Sequence, residues 1–304
     1  MKTLNEELIA RLQKPKGKID VVMDTDTYNE VDDQYALAYM IRSDEKLNVR
    51  AVYAAPFHNA KSTGPADGME KSYFEILNIL DLLGREDLKL SVFRGSKAYL
   101  PDEKTPVVSE AAEDLAKRAM NYSPENPLYN VSIGAITNIA SAILINPAII
   151  KNIVIVWLGG HSHEWPDTAE FNMFQDVAAA RVIFGCKAAV VQLPCMGVVS
   201  AFTTTGPELE YWLRGKNKLC DYLVDITTKE ASAYNPGCWS RVIWDVTAVA
   251  WLLDEDFTAD TFKHSPIPQF DHHYSFDNNK HFIKYVYHIN RDALLQDLFE
   301  KLVK

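Results

Sequence analysis

Residues 19–42 read IDVVMDTDTYNEVDDQYALAYMIR, and the reading of this stretch decides the fold. Residues 19–23 form a near-continuous apolar run, the mark of a strand covered on both faces. Residues 33–42 repeat apolar side chains at helical spacing. A buried strand that passes through a short polar loop into a helix opens a βαβ unit, and so a parallel sheet. Runs of the same kind recur at 49–54, 90–93, 128–133, 153–158 and 188–193, with helical patterns between them at 68–83, 109–120, 136–145 and 176–184. Beyond Pro194 the pattern turns mostly helical, through 207–230 and 242–253, before a late strand at 282–288 and an end helix at 291–303. The predicted fold class is therefore α/β: a mostly parallel sheet flanked by helices, with a helical C-terminal part. The chain shows no internal repeat, low-complexity segment or linker, so a single domain over residues 1–304 is expected.

In a Rossmann-like sheet of this kind, ligands sit beyond the carboxyl ends of the strands. The polar residues fall there in order. Asp24 and Asp26 follow the first run, His58 and Asn59 the second, and Gly95 the third. Gly134, Thr137 and Asn138 follow the fourth, then Gly159, Gly160, Glu170 and Asn172 the fifth. A random scatter of polar residues would not collect at one end of the sheet.

Bulk properties narrow the chemistry. The 304 residues fit one large α/β domain, and 47% hydrophobic content supplies its core. A net charge of -10 repels phosphate backbones, which excludes a nucleic acid polymer as partner and favours a small neutral ligand or a cation. Residues 1–20 alternate charged and apolar side chains at helical spacing and lack the apolar core of a signal peptide. No later run reaches the ~18 apolar residues of a membrane span, so no membrane partner is expected. The four cysteines (Cys186, Cys195, Cys220, Cys238) form no CxxC pair, which argues against a zinc knuckle or a disulfide framework. These features set the expectation of a cytoplasmic protein with reduced thiols.

The carboxylates Asp24, Asp26, Asp32 and Asp33 leave the first strand and enter the first helix together. Helix capping accounts for one or two of them, since Asp favours helix starts. Four around one turn repel one another unless a cation or shared protons compensate. All-oxygen ligands select Ca²⁺, Mg²⁺ or Mn²⁺ over zinc or copper. An EF-hand is ruled out, because counting from Asp24 its required Gly and Glu positions hold Asn29 and Tyr35. The run MDTDTY also resembles the aspartyl-nucleophile loop of haloacid dehalogenase-type phosphotransferases, with Asp24 as nucleophile. It departs from that pattern at Tyr28, and such enzymes have no need of Asp32 and Asp33.

Two further segments separate these readings. Residues 132–143 read SIGAITNIASAI and residues 169–184 read AEFNMFQDVAAARVIF. With the aspartate loop, they resemble the inosine-uridine-preferring nucleoside hydrolase family. That family carries an aspartate-rich first loop, an Asn after the second strand, a G-x-[LI]-T-N segment, a Gly pair, AEFN followed by DPxAA, and a late Asp. Here the same order runs through Asp24 to Asp33, Asn59, GAITN at 134–138, Gly159 and Gly160, AEFN at 169–172 with DVAA, and Asp245. The match spans about residues 18–255, and RDALLQDLFEKL at 291–302 fits the closing helix.

The resemblance implies roles residue by residue. Asp26, Asp33, Asp245 and the Ile133 carbonyl would bind Ca²⁺, and Asp26 would take the proton of the attacking water. Asp32, Asn59, Glu170 and Asn172 would hold the ribose, while Asp24 and Asn138 would support them from behind. The implied activity is Ca²⁺-dependent cleavage of the N-glycosidic bond of a ribonucleoside or related N-riboside, in purine or pyrimidine salvage, by a homodimer or homotetramer. The division is chemically coherent. Ca²⁺ takes 6–8 oxygens, so three carboxylates and a carbonyl leave places for water and two vicinal hydroxyls.

Three departures bear on that expectation. Two additional residues separate Asp26 from Asp33 relative to the family's DxDPGxDD, and the Pro-Gly is absent. The family's frequent His before the late Asp is Trp244, which is no acid but offers a ring for stacking on a base. Residues 161–168, HSHEWPDT, lack the family's Asn, for which His161, His163 or Glu164 could substitute. His58 and the His272–His273 pair are the expected replacement acids, and Trp165 and Trp239 are possible base-pocket residues. Arg241 reads more simply as a structural ion pair. Trp244 also keeps open a member that binds Ca²⁺ and ribose without catalysis.

Overall fold

The strand Ile19–Thr25 (β1) shows why its residues are apolar in succession. In the computed structural model, which describes residues 3–304, Val21 and Met23 join one hydrophobic core and Val22 joins another. The strand Ile153–Leu158 (the fifth, β5 below) divides in the same way, with Val154, Val156 and Leu158 on one side and Ile153, Ile155 and Trp157 on the other. Both sheet faces are therefore covered, and the period-2 alternation is hidden because each face meets helices.

Between and after these come β2 (Leu47–Ala54), β3 (Val92–Arg94), β4 (Leu128–Ser132), β5 and β6 (Ala189–Leu193), followed by β7 (Thr203–Thr205), β8 (Ser240–Val242), β9 (Thr258–His264), β10 (Ile267–Pro268), β11 (Tyr274–Ser275) and β12 (Phe282–Ile289). The helices are α1 (Leu4–Arg11), α2 (Asp32–Arg42), α3 (Pro65–Leu82), α4 (Glu110–Arg118), α5 (Thr137–Ile145), α6 (Phe171–Gln175), α7 (Val177–Gly185), α8 (Gly206–Trp212), α9 (Lys218–Tyr234), α10 (Val246–Leu253) and α11 (Arg291–Leu302). The main sheet has the order β3-β2-β1-β4-β5-β6-β12-β9. Every pairing in it is parallel except the last, β12 with β9. The α/β class and mostly parallel sheet are as expected, and the order reverses between β1 and β4. That switch point opens a crevice at the carboxyl ends of those two strands.

The structure differs from the sequence expectation mainly at edges and in the C-terminal part. β3 begins at Val92, because it pairs only with Val52–Ala54 of β2. Leu90 lies in a 3-10 turn and is 93% exposed. The helical stretch expected at 207–230 is two helices, since Asn217 caps a new start by accepting from the Cys220 amide at 2.8 Å. Residues 242–245 precede α10 and are not helical, because β8 pairs with β7 and delivers the chain to Asp245. β9 was not foreseen; it pairs with β12 and sets the half-buried Asp260 against the buried Lys284 at 2.9 Å. Among the described residues no helix is long and apolar enough to cross a membrane, and all four cysteines are free.

Candidate active site

The crevice at the β1–β4 switch point contains a cavity of about 210 Å³. β1 ends at Thr25, and Asp26 enters the loop immediately beyond it. The Asn29 amide donates to the Asp26 carbonyl at 2.7 Å, closing a turn that takes up the loop's extra length. Thr25 Oγ1 then donates to Asp33 Oδ1 at 2.5 Å, tying the strand end to the first turn of α2. Asp32 and Asp33 stand at the start of that helix, where the unpaired amides and the dipole favour negative charge. Asp245, at the start of α10, arrives from the other end of the chain.

Oxygens of Asp32, Asp33 and Asp245 lie within 4.8 Å of one another, and all three residues line the cavity with Asp26. All four are at least 97% buried. Among the described residues Asp26 Oδ2 and Asp32 Oδ1 have no hydrogen-bond partner. Burial raises the Asp33 carboxyl to about 7 against the opposing bonds from Thr25 and Asp245. Burial, followed by repulsion from neighbouring carboxylates, raises Asp26 and Asp245 well above their ordinary range. Asp32 is raised by burial and by Glu30, with Arg241 opposing. Buried carboxylates with unpaired oxygens, converging on one point, are the donor set a hard divalent cation requires. The residues present fit such an ion.

The opposite part of the cavity comes from β4, β5 and β6. Glu170 caps α6, and its carboxylate accepts from the amides of Asn172 and Gly160 at 2.8 Å and of Met173 at 2.9 Å. Gly160 has φ +73°, and a side chain there would run into the Tyr274 hydroxyl. Asn172 Nδ2 donates to the carbonyls of Ile133 and Leu158, each at 3.1 Å. Glu170 and Asn172 both line the cavity while holding the loops after β4 and β5 together. Trp244 lines it as well, half-buried beside Asp245.

Some expected site residues stand back from the cavity. Asn59 is one hydrogen bond removed: its Nδ2 donates to Asn29 Oδ1 at 2.6 Å, and Asn29 forms the wall. Asp24 is fully buried and does not line the cavity, and its Oδ1 accepts from Asn138 Nδ2 at 2.8 Å. Burial raises the Asp24 carboxyl to about 7, the Asn138 bond opposing. A sealed carboxyl of this kind cannot reach a phosphate ester, which removes the aspartyl-nucleophile alternative.

The histidine expectations also change. His58 is exposed, His272 stacks on Phe174 with ring centres 4.6 Å apart, and His273 is exposed beside Asp271. None of the three lines the cavity; His161 does. Of the residues that could replace the family's Asn, His163 is bonded to Gln192 at 3.0 Å and Glu164 is paired with Lys263 at 2.9 Å. Neither Trp165 nor Trp239 lines the cavity, and Arg241 is paired with Glu30 at 2.5 Å and Glu230 at 3.0 Å. Cys195 and Met196 also line the cavity and were not anticipated. They follow β6, so the carboxyl-end rule extended to that strand would have found them.

Comparison with known proteins agrees with this geometry. The profile of the family described as "Inosine-uridine preferring nucleoside hydrolase" matches residues 21–293. The chain is 27% identical over 168 residues to "Probable uridine nucleosidase 2" of Arabidopsis thaliana, covering 53% of this chain and 49% of that protein. It is 33% identical over 170 residues to the "Inosine-uridine preferring nucleoside hydrolase" of Leishmania major, covering 53% and 52%. The matches thus span about half the length of these curated relatives. Its fold is that of the "Purine-Preferring Ribonucleoside Hydrolase from Gardnerella vaginalis", at a TM-score of 0.76 and 20% identity over 93% of this chain and 98% of that one. With its β1–β4 crevice, buried carboxylates and a family match over most of its length, the chain belongs to the inosine-uridine preferring nucleoside hydrolase family.

Proposed function

We propose that the protein hydrolyses the N-glycosidic bond of a ribonucleoside, or of a related N-riboside, to ribose and free base in a Ca²⁺-dependent reaction. The observation that carries this is the convergence of buried, incompletely bonded carboxylates beside Glu170 and Asn172 in a cavity at the switch point. Asp26, Asp33 and Asp245, with the Ile133 carbonyl, would hold the ion, and Asp32, which offers an oxygen within 4.8 Å of those of Asp33 and Asp245, would hold the ribose beside it. When bound, Ca²⁺ supplies a positive charge that acidifies a nearby water and anchors vicinal hydroxyls. Asp26, whose affinity for a proton is raised by burial and by its neighbours, accepts the proton of that water. The water oxygen bonds to C1′ as the C1′–N bond breaks and its electron pair leaves with the base. Nearby carboxylates stabilise the positive charge that develops on the ribose. Glu170, Asn172 and Asp32 border the sugar, and Trp244 presents a ring for the base. The reading extends to a homodimer or homotetramer in nucleoside salvage, supported by the family resemblance alone.

The test is reducing-sugar release from a panel of purine and pyrimidine ribonucleosides, with Ca²⁺ and then with chelator, for wild type and Asp26→Ala. Ribose release that needs the ion and disappears in the variant supports the hydrolase, and the best substrate names the base. Binding of nucleoside without release favours instead a Ca²⁺-dependent ribose-binding protein, the reading that Trp244 keeps open.

A further inference from the structure

A base that leaves with the electron pair of the C1′–N bond is a nitrogen anion, and a poor leaving group unless a donor meets it. The residue before Asp245 is Trp244, whose ring is no acid. The geometry points to His161 as the hydrogen-bond donor to the departing base. This rests on the hydrolase reading and names the group that completes it.

His161 sits in the loop beyond β5, lines the cavity and is 9% exposed. The Met196 amide donates to its Nδ1 at 3.2 Å, which engages that lone pair and leaves the proton on Nε2. Among the described residues Nε2 has no hydrogen-bond partner; its nearest carboxylate oxygen there, Asp167 Oδ1, is 3.9 Å away, beyond hydrogen-bond reach. The ring is held rather than free. Trp165 packs edge-on at 5.9 Å, the Ser162 amide donates to the Met196 carbonyl, and the Cys195 amide donates to the Gly160 carbonyl, each at 2.9 Å. The loops beyond β5 and β6 thus fix the His161 ring in the cavity lining, with Nε2–H as its one donor. Burial lowers the pKa of the ring, with Asp167 opposing, which favours the neutral imidazole. Among the described residues it is the only histidine lining the cavity.

The step balances without His161 losing its proton. The water oxygen bonds to C1′, the water proton passes to Asp26, and the C1′–N pair leaves on the base. Nε2–H holds that pair by a hydrogen bond until the base takes a proton from solvent. The substrates that benefit are those whose leaving group has an acceptor near the glycosidic nitrogen, as purines and pyrimidines do. A leaving group that is already a stable anion gains little.

The experiment compares His161→Leu, His161→Gln and Trp244→Phe with wild type on the best ribonucleoside and on 4-nitrophenyl β-D-riboside, whose phenolate departs unaided. His161→Leu should lower kcat on the ribonucleoside by about 10²–10³-fold and by at least ~10-fold less on the nitrophenyl riboside, whose continued turnover reports a folded site. His161→Gln, which keeps an N–H near the Nε2 position, should recover part of the ribonucleoside rate. Equal losses on both substrates would overturn the inference, as would a selective loss in Trp244→Phe with none in His161→Leu. A wild type that cleaves the nitrophenyl riboside and no ribonucleoside overturns it too. Cleavage of neither riboside overturns the hydrolase reading first, and the role of His161 with it.

Discussion

Asn138 uses its whole amide in a fully buried position. Its Nδ2 donates to Asp24 Oδ1 and to the Ala54 carbonyl, and its Oδ1 accepts from the Ser96 amide at 2.7 Å. One side chain therefore joins the ends of β1 and β2 to the loop after β3. Asn138→Ala should lower unfolding free energy by about 1–3 kcal/mol, because it strands buried donors and acceptors; a urea titration with an unchanged midpoint would refute this. Glu170 poses a similar case with charge. Its carboxylate accepts three amides, whereas Glu170→Gln offers one acceptor oxygen and turns an NH₂ toward donors. The variant should melt at a lower temperature even with Ca²⁺ present, which calorimetry would measure. The identities of Asn138, Glu170 and Asn172 were legible in GAITN and AEFN. Their partners on other strands and loops were not, because those are backbone groups whose meeting depends on strand order. The same limit hid the donor role of His161, which the sequence offered only as a substitute for the family's Asn, until the loop after β6 supplied the amide that orients it.

At the level of elements, the N-terminal part was readable because most of its parallel strands are near-continuous apolar runs and its helices have their own period. The C-terminal part was not. β7 and β8 have three residues each, and β9 mixes polar with apolar residues, so neither period shows. Their effect on the site is nonetheless large, since β8 sets the direction in which Trp244 and Asp245 enter. The short β3 has a comparable role at the other edge. Beyond it Gly95 lies so close to β2 that an added Cβ would sit 1.9 Å from the Ala54 oxygen and 2.5 Å from Asn138 Nδ2. Gly95→Ala must separate the loop from β2 and should cost about 1–3 kcal/mol in stability. Wild-type stability in that variant would mean that the loop can shift without disturbing Asn138.

For the molecule as a whole, the carboxylate cluster couples stability to pH and to the ion. Asp24 and Asp33 rise from 3.8 to about 7 on folding, so the folded state holds more protons than the unfolded state between those values. Stability of the metal-free protein contributed by these groups is therefore lost as pH rises through that window. A bound cation offsets the repulsion, and its stabilisation follows mass action. Added Ca²⁺ should raise the melting temperature more at about pH 8 than at about pH 5.5. An equal shift at both would show that the ion does not answer these carboxylates. The distribution of the cluster along the chain has a consequence for biosynthesis. Asp26, Asp32 and Asp33 emerge from the ribosome early, but Asp245 and the β12 strand beside β6 come only with the last part of the chain. A nascent chain holds the repelling carboxylates before it has the residue that completes their cation cage. Capture of an ion that needs all of these carboxylates would then be a late event, closing folding rather than starting it.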